Sequence, residues 1–275
     1  MNISYADNKW TVFVHKNINE LTDEEIVQVG KLIVKNMVVV FKNQELTPDD
    51  ELKFCSKIGH YQYYPPDVER IKHIRVNDGI LRVTGKQNEY GEEGLFGHTS
   101  ALDWHANQAS NLERKPLIWL YSRQGSKGSR TSWLNNIISY ENLPEDIKNK
   151  INDIKVYCGY KSGSYSTSTF FKEHVDKTNP ISLVQVNKEG KKGLFFPFLQ
   201  IFGFENYSDD EFQEIMNVLK KHVLNEKFMY HHDWDDNDIV ISEQWLSIHK
   251  RWPFEEMSNR ILHRIAFDYS KIYKS

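Results

Sequence analysis

Cysteine is nearly absent from this chain: Cys55 and Cys158 are the only two in 275 residues. That excludes a disulfide framework or a thiolate metal cage, and the apolar settings of both ("LKFCSKIG", "IKVYCGY") suit small core residues. With 14 glycines and 8 prolines, the chain is neither collagen-like nor low in complexity. Apolar runs are short, and "MVVVF" falls far below the length of a membrane span. The N-terminus, "MNISYADNKW", has no basic region and no apolar region of a secretory signal, so a cytoplasmic, reducing setting is expected. An excess of one charge is also missing, since 35 Lys and Arg against 38 Asp and Glu leave a net charge of −3. Such a balance offers no electrostatic reason to expect nucleic acid or an anionic membrane as partner.

What is present suffices for a core, with 39% hydrophobic and 13% aromatic residues and no internal repeat. A single domain over 1–275 is expected. The opening reads strand, helix, strand, helix. "WTVFV" (10–14) is β-rich, and Thr22 with Glu25 forms a capping box ahead of "IVQVGKLIVKN". The β-branched run "MVVVFKN" (37–43) reads as a buried strand. Thr47-Pro48 then starts a helix that stops at Gly59. From about 70 the pattern changes to short strands: "IKHIRV", "ILRVTG", "LIWLYS", "IKVYCGY", "ISLVQV", "LFFPF", "DIVIS" and "ILHRIAFDY". One good helix interrupts them, capped by Ser208 and Glu211 and carrying Phe212, Ile215, Val218, Leu219 and Val223 at the helical period. Many short strands without βαβ alternation predict a mainly β sandwich or barrel with flanking helices. The connections at 57–70 and 160–180 are long enough to be binding loops.

The residues that carry chemistry lie in four places. "LDWHANQASN" holds His105 and Asn107, and residues two apart on a strand share a face, so one strand could aim both at one metal ion. "GSKGSRTSWLNN" places Thr131 after a glycine-containing turn. His249 follows the strand "DIVIS", and Arg264 comes fifteen residues later, four after Arg260. Arg264 on a β-branched strand would be a costly buried charge with nothing to bind.

In this order, W-H-x-(D/N), then a G-x-x-T turn, a distal His and R-x-x-x-R, the chain resembles the TauD/TfdA family of Fe(II)- and 2-oxoglutarate-dependent dioxygenases. "MVVVFKNQELTPDDELKFCSKIG" and "WDDNDIVISEQWLSIHKR" extend the resemblance over most of the length. It implies a double-stranded β-helix (a cupin-like jelly roll) with helices outside. It also implies Fe(II) as cofactor, 2-oxoglutarate and O₂ as co-substrates, and hydroxylation of a small molecule with release of succinate and CO₂. In such a site two imidazoles and a carboxylate hold iron and leave positions open. His105 and His249 would be iron ligands, with Asn107 in the carboxylate's place. Arg264 would clamp the distal carboxylate of 2-oxoglutarate, assisted by Thr131, and Arg260 would serve the co-substrate or the fold.

Asn107 departs from the family, which carries Asp there. Asn keeps the shape and one coordinating oxygen but loses a negative charge. Four readings stay open. Asn107 or a water coordinates and oxygenation proceeds; or the place is left to a halide, as in the related radical halogenases, although those carry Ala or Gly there. Alternatively iron chemistry is lost and a catalytically silent binding protein remains on the same fold, or Asn stands where a natural Asp belongs. The retained Arg264 argues against a silent scaffold, which would have little use for a co-substrate clamp. Asp103 could share the face of His105 but lies on the wrong side of the H-x-D order. His98 reads as a plain loop residue, "YHHDWDD" (230–236) as a solvated turn, and Tyr61, Tyr63, Tyr64, Phe170 and Phe171 as pocket-lining or loop-anchoring aromatics. Neither the substrate nor assembly into a homo-oligomer is fixed by these residues.

Overall fold

A computed structural model of the chain describes residues 1–84, 101–160, 174–175, 179–253 and 260–273. Its opening follows the local signals. β1 (Ile3–Tyr5) and β2 (Val12–Val14) pair antiparallel. Thr22 and Glu25 exchange both bonds of the capping box at the start of α1 (Asp23–Asn36), satisfying two amides that the first turn would leave orphaned. β3 (Val38–Phe41) is buried at every residue. Thr47 and Asp50 form a second capping box at α2 (Pro48–Ile58), with Pro48 in the first turn, and the helix ends at Gly59.

Next come a short α3 (Glu69–Lys72), β4 (Leu81–Thr84), β5 (Leu102–His105), β6 (Leu117–Gln124) and β7 (Arg130–Asn135). They are followed by α4 (Asn136–Glu141), α5 (Glu145–Ile151), β8 (Lys155–Tyr160), β9 (His174–Val175), β10 (Ile181–Ser182), β11 (Val184–Val186), β12 (Lys192–Leu194) and β13 (Ile201–Phe204). The chain closes through α6 (Asp209–Val223), β14 (Met229–Asp233), β15 (Ile239–Glu243), β16 (Ser247–Arg251) and β17 (Ile261–Phe267).

Four expectations are corrected. "IKHIRV" is not a strand: α3 covers its start and only Arg75 forms an isolated bridge, to Leu81. The second half holds α4 and α5 besides α6. Val218 is 42% exposed, and Met216 takes the buried place on α6. The "YHHDWDD" stretch is no solvated turn. Its first four residues belong to β14, which pairs with β7, and His232 is 3% exposed; the pairing to β7 overrides the polar composition.

Two sheets dominate. The larger has the order β1-β2-β3-β15-β6-β17-β4 and the smaller β14-β7-β16-β5, with β10-β8-β13 and the β11-β12 pair outside them. Val38, Val40, Ile118, Leu120, Val240 and Ala266 of the larger sheet pack with Trp133 and Tyr230 of the smaller in one buried cluster between the sheets. The alternate residues Val39, Phe41, Trp119, Ile241 and Ile265 pack instead with Val29, Ile33, Phe54 and Ile58 of α1 and α2. Two largely antiparallel sheets face to face, with helices outside, make the expected double-stranded β-helix. The strict period of two decides what β17 presents to each side. Leu262, Arg264 and Ala266 share the inter-sheet face, whereas His263 meets α2, its Nδ1 2.7 Å from Glu51 Oε1. Trp119 Nε1 donates to the other oxygen of Glu51 at 3.1 Å. Among the described residues no helix is long and apolar enough to cross a membrane.

Gly59 is required where α2 hands the chain toward β17. A Cβ there would lie 2.0 Å from the carbonyl oxygen and 2.4 Å from the carbonyl carbon of Asp268, both backbone atoms that cannot swing aside. Gly59→Ala is therefore expected to destabilise by about 1–3 kcal/mol or more, which thermal melting would register as a loss of roughly 2–4 °C per kcal/mol. An unchanged melting temperature would show that the contact relaxes freely.

Candidate active site

The space between the sheets opens into a cavity at one end, lined by Val83, Leu102, Leu120 and Leu262 and by seven polar residues. Six of the seven are the residues singled out from the sequence: His105, Asn107, Thr131, His249, Arg260 and Arg264. The seventh is Arg251. β5 and β16 supply the histidines, for the strands pair antiparallel with His249 directly opposite His105. The ring centroids lie 4.2 Å apart.

Asn107 reaches the cavity by a different route from the one expected. β5 ends at His105, so His105 and Asn107 do not share a strand face. Asn107 sits in the turn that follows, where Gln108 adopts φ 56°. Two buried glutamines from distant segments fix this turn. Gln200 grips Ala106 at both ends, accepting from its N–H at 2.8 Å and donating to its carbonyl at 3.0 Å. Gln244 accepts from the Asn107 N–H at 2.9 Å and donates to the Lys115 carbonyl. Neither glutamine was picked from the sequence, although each lies amid apolar neighbours ("PFLQIF", "VISEQW"), where a polar side chain must find partners.

Burial sets the electrostatics. The His105 imidazole is pushed down to about 4 by burial, aided by the charges of Arg251 and Arg264 and opposed by its bond to the Asp103 carbonyl. That bond, 2.7 Å from Nδ1, assigns the proton to Nδ1, because a carbonyl oxygen can only accept. His249 lies well below its ordinary value, first through burial and then through His105 and Arg264. Both rings are therefore neutral near pH 7, the form that ligates metals.

The cations are as notable as the imidazoles. Arg260 is pushed down to about 9 by burial and the nearby Arg251 charge, and Arg251 to about 10 by burial. Arg264 donates toward the Tyr64 hydroxyl at 3.4 Å, and its buried Nε has no acceptor among the described residues. Three guanidinium groups around one cavity suit an anion. Arg251 was missed, yet it lies two residues beyond His249 on the same strand, and that spacing puts it on the same face. Thr131 accepts a hydrogen bond from Trp234 Nε1 at 2.9 Å, which leaves its own O–H to donate.

Asp103 does not join the site. It is exposed and its carboxylate pairs with Lys250 at 3.1 Å. Among the described residues no group of three or more His, Cys, Asp or Glu side chains could hold a metal ion; Asn107 lines the same cavity as the two histidines. Of the aromatics, Tyr64 touches Arg264 and Tyr63 is exposed. His98, Phe170 and Phe171, with most of the 160–180 connection, lie outside the described residues.

Two outcomes follow from this geometry. Gln200→Leu strands the N–H and carbonyl of Ala106 in a buried setting, which should cost about 1–3 kcal/mol for each unsatisfied group and be read as lost thermal stability; a melt like that of the parent would discount the clamp. The second concerns pH in the metal-free protein. Folded pKa values below the ordinary 6.5 mean that the unfolded chain binds the extra protons. The contribution of these neutral rings is thus full above 6.5 and is lost as pH falls from 6.5 toward about 4. His105→Gln should flatten the melting temperature over that window, and an unaltered slope would place the acid sensitivity elsewhere.

Comparison with known proteins gives a consistent result. The chain matches the family described as "Taurine catabolism dioxygenase TauD, TfdA family" over residues 8–266. It is 20% identical over 266 residues to pentalenolactone F synthase of Streptomyces avermitilis, covering 90% of this chain and 86% of that protein. It is 21% identical over 254 residues to an alpha-ketoglutarate-dependent 2,4-dichlorophenoxyacetate dioxygenase of a Burkholderia species, covering 89% and 86%. Among solved structures, AAD-2 in complex with Mn(II) and N-oxalylglycine superposes with a TM-score of 0.75 at 16% identity, covering 97% of this chain and 96% of that one.

Proposed function

The chain belongs to the TauD/TfdA family of 2-oxoglutarate-dependent dioxygenases, and from that premise we propose that it is an Fe(II)- and 2-oxoglutarate-dependent oxygenase that hydroxylates a small molecule. One observation carries the reading: two neutral, facing imidazoles and a buried guanidinium with an unpaired donor line the same cavity between the sheets. Neutral imidazole suits iron, and an orphaned buried donor suits a carboxylate. The donor set therefore fits the cofactor pair, with the charge deficit at Asn107 as its weak point.

In this reading His105 and His249 would hold Fe(II), with the Asn107 amide oxygen in the third place. The Gln200 and Gln244 clamps keep that oxygen at the cavity wall. Arg264 binds the distal carboxylate of 2-oxoglutarate with the Thr131 hydroxyl donating beside it, and Arg260 adds positive charge. When bound, Fe(II) and 2-oxoglutarate supply with O₂ the oxidising power for C–H hydroxylation, yielding succinate and CO₂. The leucines and valine of the lining exclude water from the reacting carbon.

Anaerobic titration of the protein with Fe(II) and 2-oxoglutarate should give the visible metal-to-ligand charge-transfer band. Arg264→Ala should abolish it, and Asn107→Asp should tighten iron binding by about 10–100-fold, the scale on which lesser perturbations of metal sites act. A band in Asn107→Asp alone would favour a catalytically silent binder on the oxygenase fold. If neither protein gave a band, the iron reading would be lost. Halide-dependent chlorination of a substrate would select the halogenase alternative.

A further inference from the structure

Gln200 and Gln244 are joined by a third long side chain in holding the turn after β5. Arg114 lies seven residues beyond Asn107 and is 3% exposed. Its Nη1 donates to the Ala109 carbonyl at 2.8 Å, and its own N–H to the Asn111 carbonyl at 3.2 Å. The guanidinium lies over two rings at once, 3.5 Å from the centroid of Trp245 and 4.2 Å from that of Phe195. Phe195 follows β12, and Trp245 belongs to the turn between β15 and β16. Arg114 therefore ties three segments together, through a side-chain hydrogen bond and two cation–π contacts.

Trp245 is itself fixed by a buried carboxylate. Glu243 is 2% exposed, and its two oxygens accept from the Trp245 N–H at 2.9 Å and the Leu246 N–H at 2.8 Å. Its carbonyl accepts from the Ser247 hydroxyl. Burial pushes the Glu243 carboxyl up to about 7, against those two N–H bonds and the charge of Arg114, which draw it down. Between Glu243 and Trp245 stands Gln244, whose side chain holds the Asn107 N–H. One turn thus carries the ring beneath Arg114 and the clamp on Asn107, and it runs on into β16 and His249. Arg114, Phe195, Glu243 and Trp245 all stand behind the cavity wall and not in its lining.

A guanidinium buried this far from water is costly unless its surroundings use its charge and its planar fork. A leucine could fill much of the same space, yet it could neither bond the Ala109 carbonyl nor answer the charge of Glu243. We propose that Arg114 is a positioning residue for the third ligand place: braced by Trp245 and Glu243, it fixes the turn so that the Asn107 amide stays beside the two histidines. The inference rests on the oxygenase reading of the cavity, in which Asn107 takes that third place. A carboxylate draws a cation by its full charge, whereas an amide oxygen has only its dipole. An uncharged ligand recovers affinity chiefly by being in place beforehand, since no binding energy is then used to order it. Gln200, Gln244 and Arg114, three long side chains on one short turn, supply that order.

The test titrates the full chain with Co(II) alone and reads both affinity and the visible d–d bands, which report the donors around the ion. Arg114→Met keeps a long stem but removes the charge and the fork. It should weaken Co(II) binding by about 10–100-fold, the scale on which supporting contacts act at metal sites, and shift the bands toward those of Asn107→Ala. In the Asn107→Ala background the same change should add no further loss, because a brace for Asn107 then has nothing to position. Should Arg114→Met not fold, Arg114→Lys, which keeps charge and stem without the planar fork, takes its place with the same expectations. Parent-like affinity and bands in the Arg114 variant, or an equal loss with and without Asn107, would overturn the positioning role and leave the oxygenase reading standing. Co(II) binding that survives His105→Ala, or none in the parent, would overturn the metal site itself, and the inference with it.

Discussion

The antiparallel pairing of β16 between β5 and β7 is the constraint on which the site depends. It sets His249 against His105 on one side and against Trp133 on the other. A strand displaced by one residue turns every side chain to the opposite face. Here it would exchange His249 for Ile248, which packs in the core on the outer side of the sheet, or for Lys250, which pairs with Asp103 outside the cavity. The pairing with β5 is irregular between His249 and Arg251, an interruption of the kind that re-aims side chains beside active sites. The facing histidines, the inward Arg251 and the contact of His249 with Trp133 all follow from this one register.

Around that pairing the molecule concentrates positive charge in a low-dielectric space. Arg251, Arg260 and Arg264 lie between 2% and 7% exposed, beside imidazoles that burial keeps neutral. Arg251 on β16 and Arg264 on β17 face inward because strand periodicity leaves them no other side. Three guanidinium groups so placed suit an anion. Asn107 adds no negative charge to this field.

Much of the cavity wall is held by groups that never touch it. Gln200 and Gln244 reach from separate segments to the backbone of the turn after β5, and Trp234 fixes the Thr131 hydroxyl. On the far face, the Glu51 contacts to His263 and Trp119 tie α2 to β17 and β6. β7 presents Thr131 to the cavity and, two residues later, Trp133 to the cluster between the sheets. Buried hydrogen bonds of this kind specify geometry because the unpaired alternative is costly.

By itself the sequence determined the local elements with strong short-range signals: the capping boxes at Thr22 and Ser208, Pro48 opening α2, the buried run of β3. The order of motifs also sufficed to choose six of the seven polar residues that line the cavity. What it could not determine was whatever depends on partners far along the chain. "IKHIRV" has strand composition, yet a strand exists only where an edge receives it, and α3 forms instead. Asn107 enters the cavity from a turn held by Gln200 and Gln244, residues about a hundred or more positions away, and no local spacing encodes that grip. The acidic, histidine-rich stretch after Met229 reads as solvated by composition, but pairing with β7 buries His232 and sets its Nδ1 2.8 Å from the Tyr230 hydroxyl. Local propensity acts within a few residues, whereas sheet register and buried polar pairing are settled only when distant segments meet.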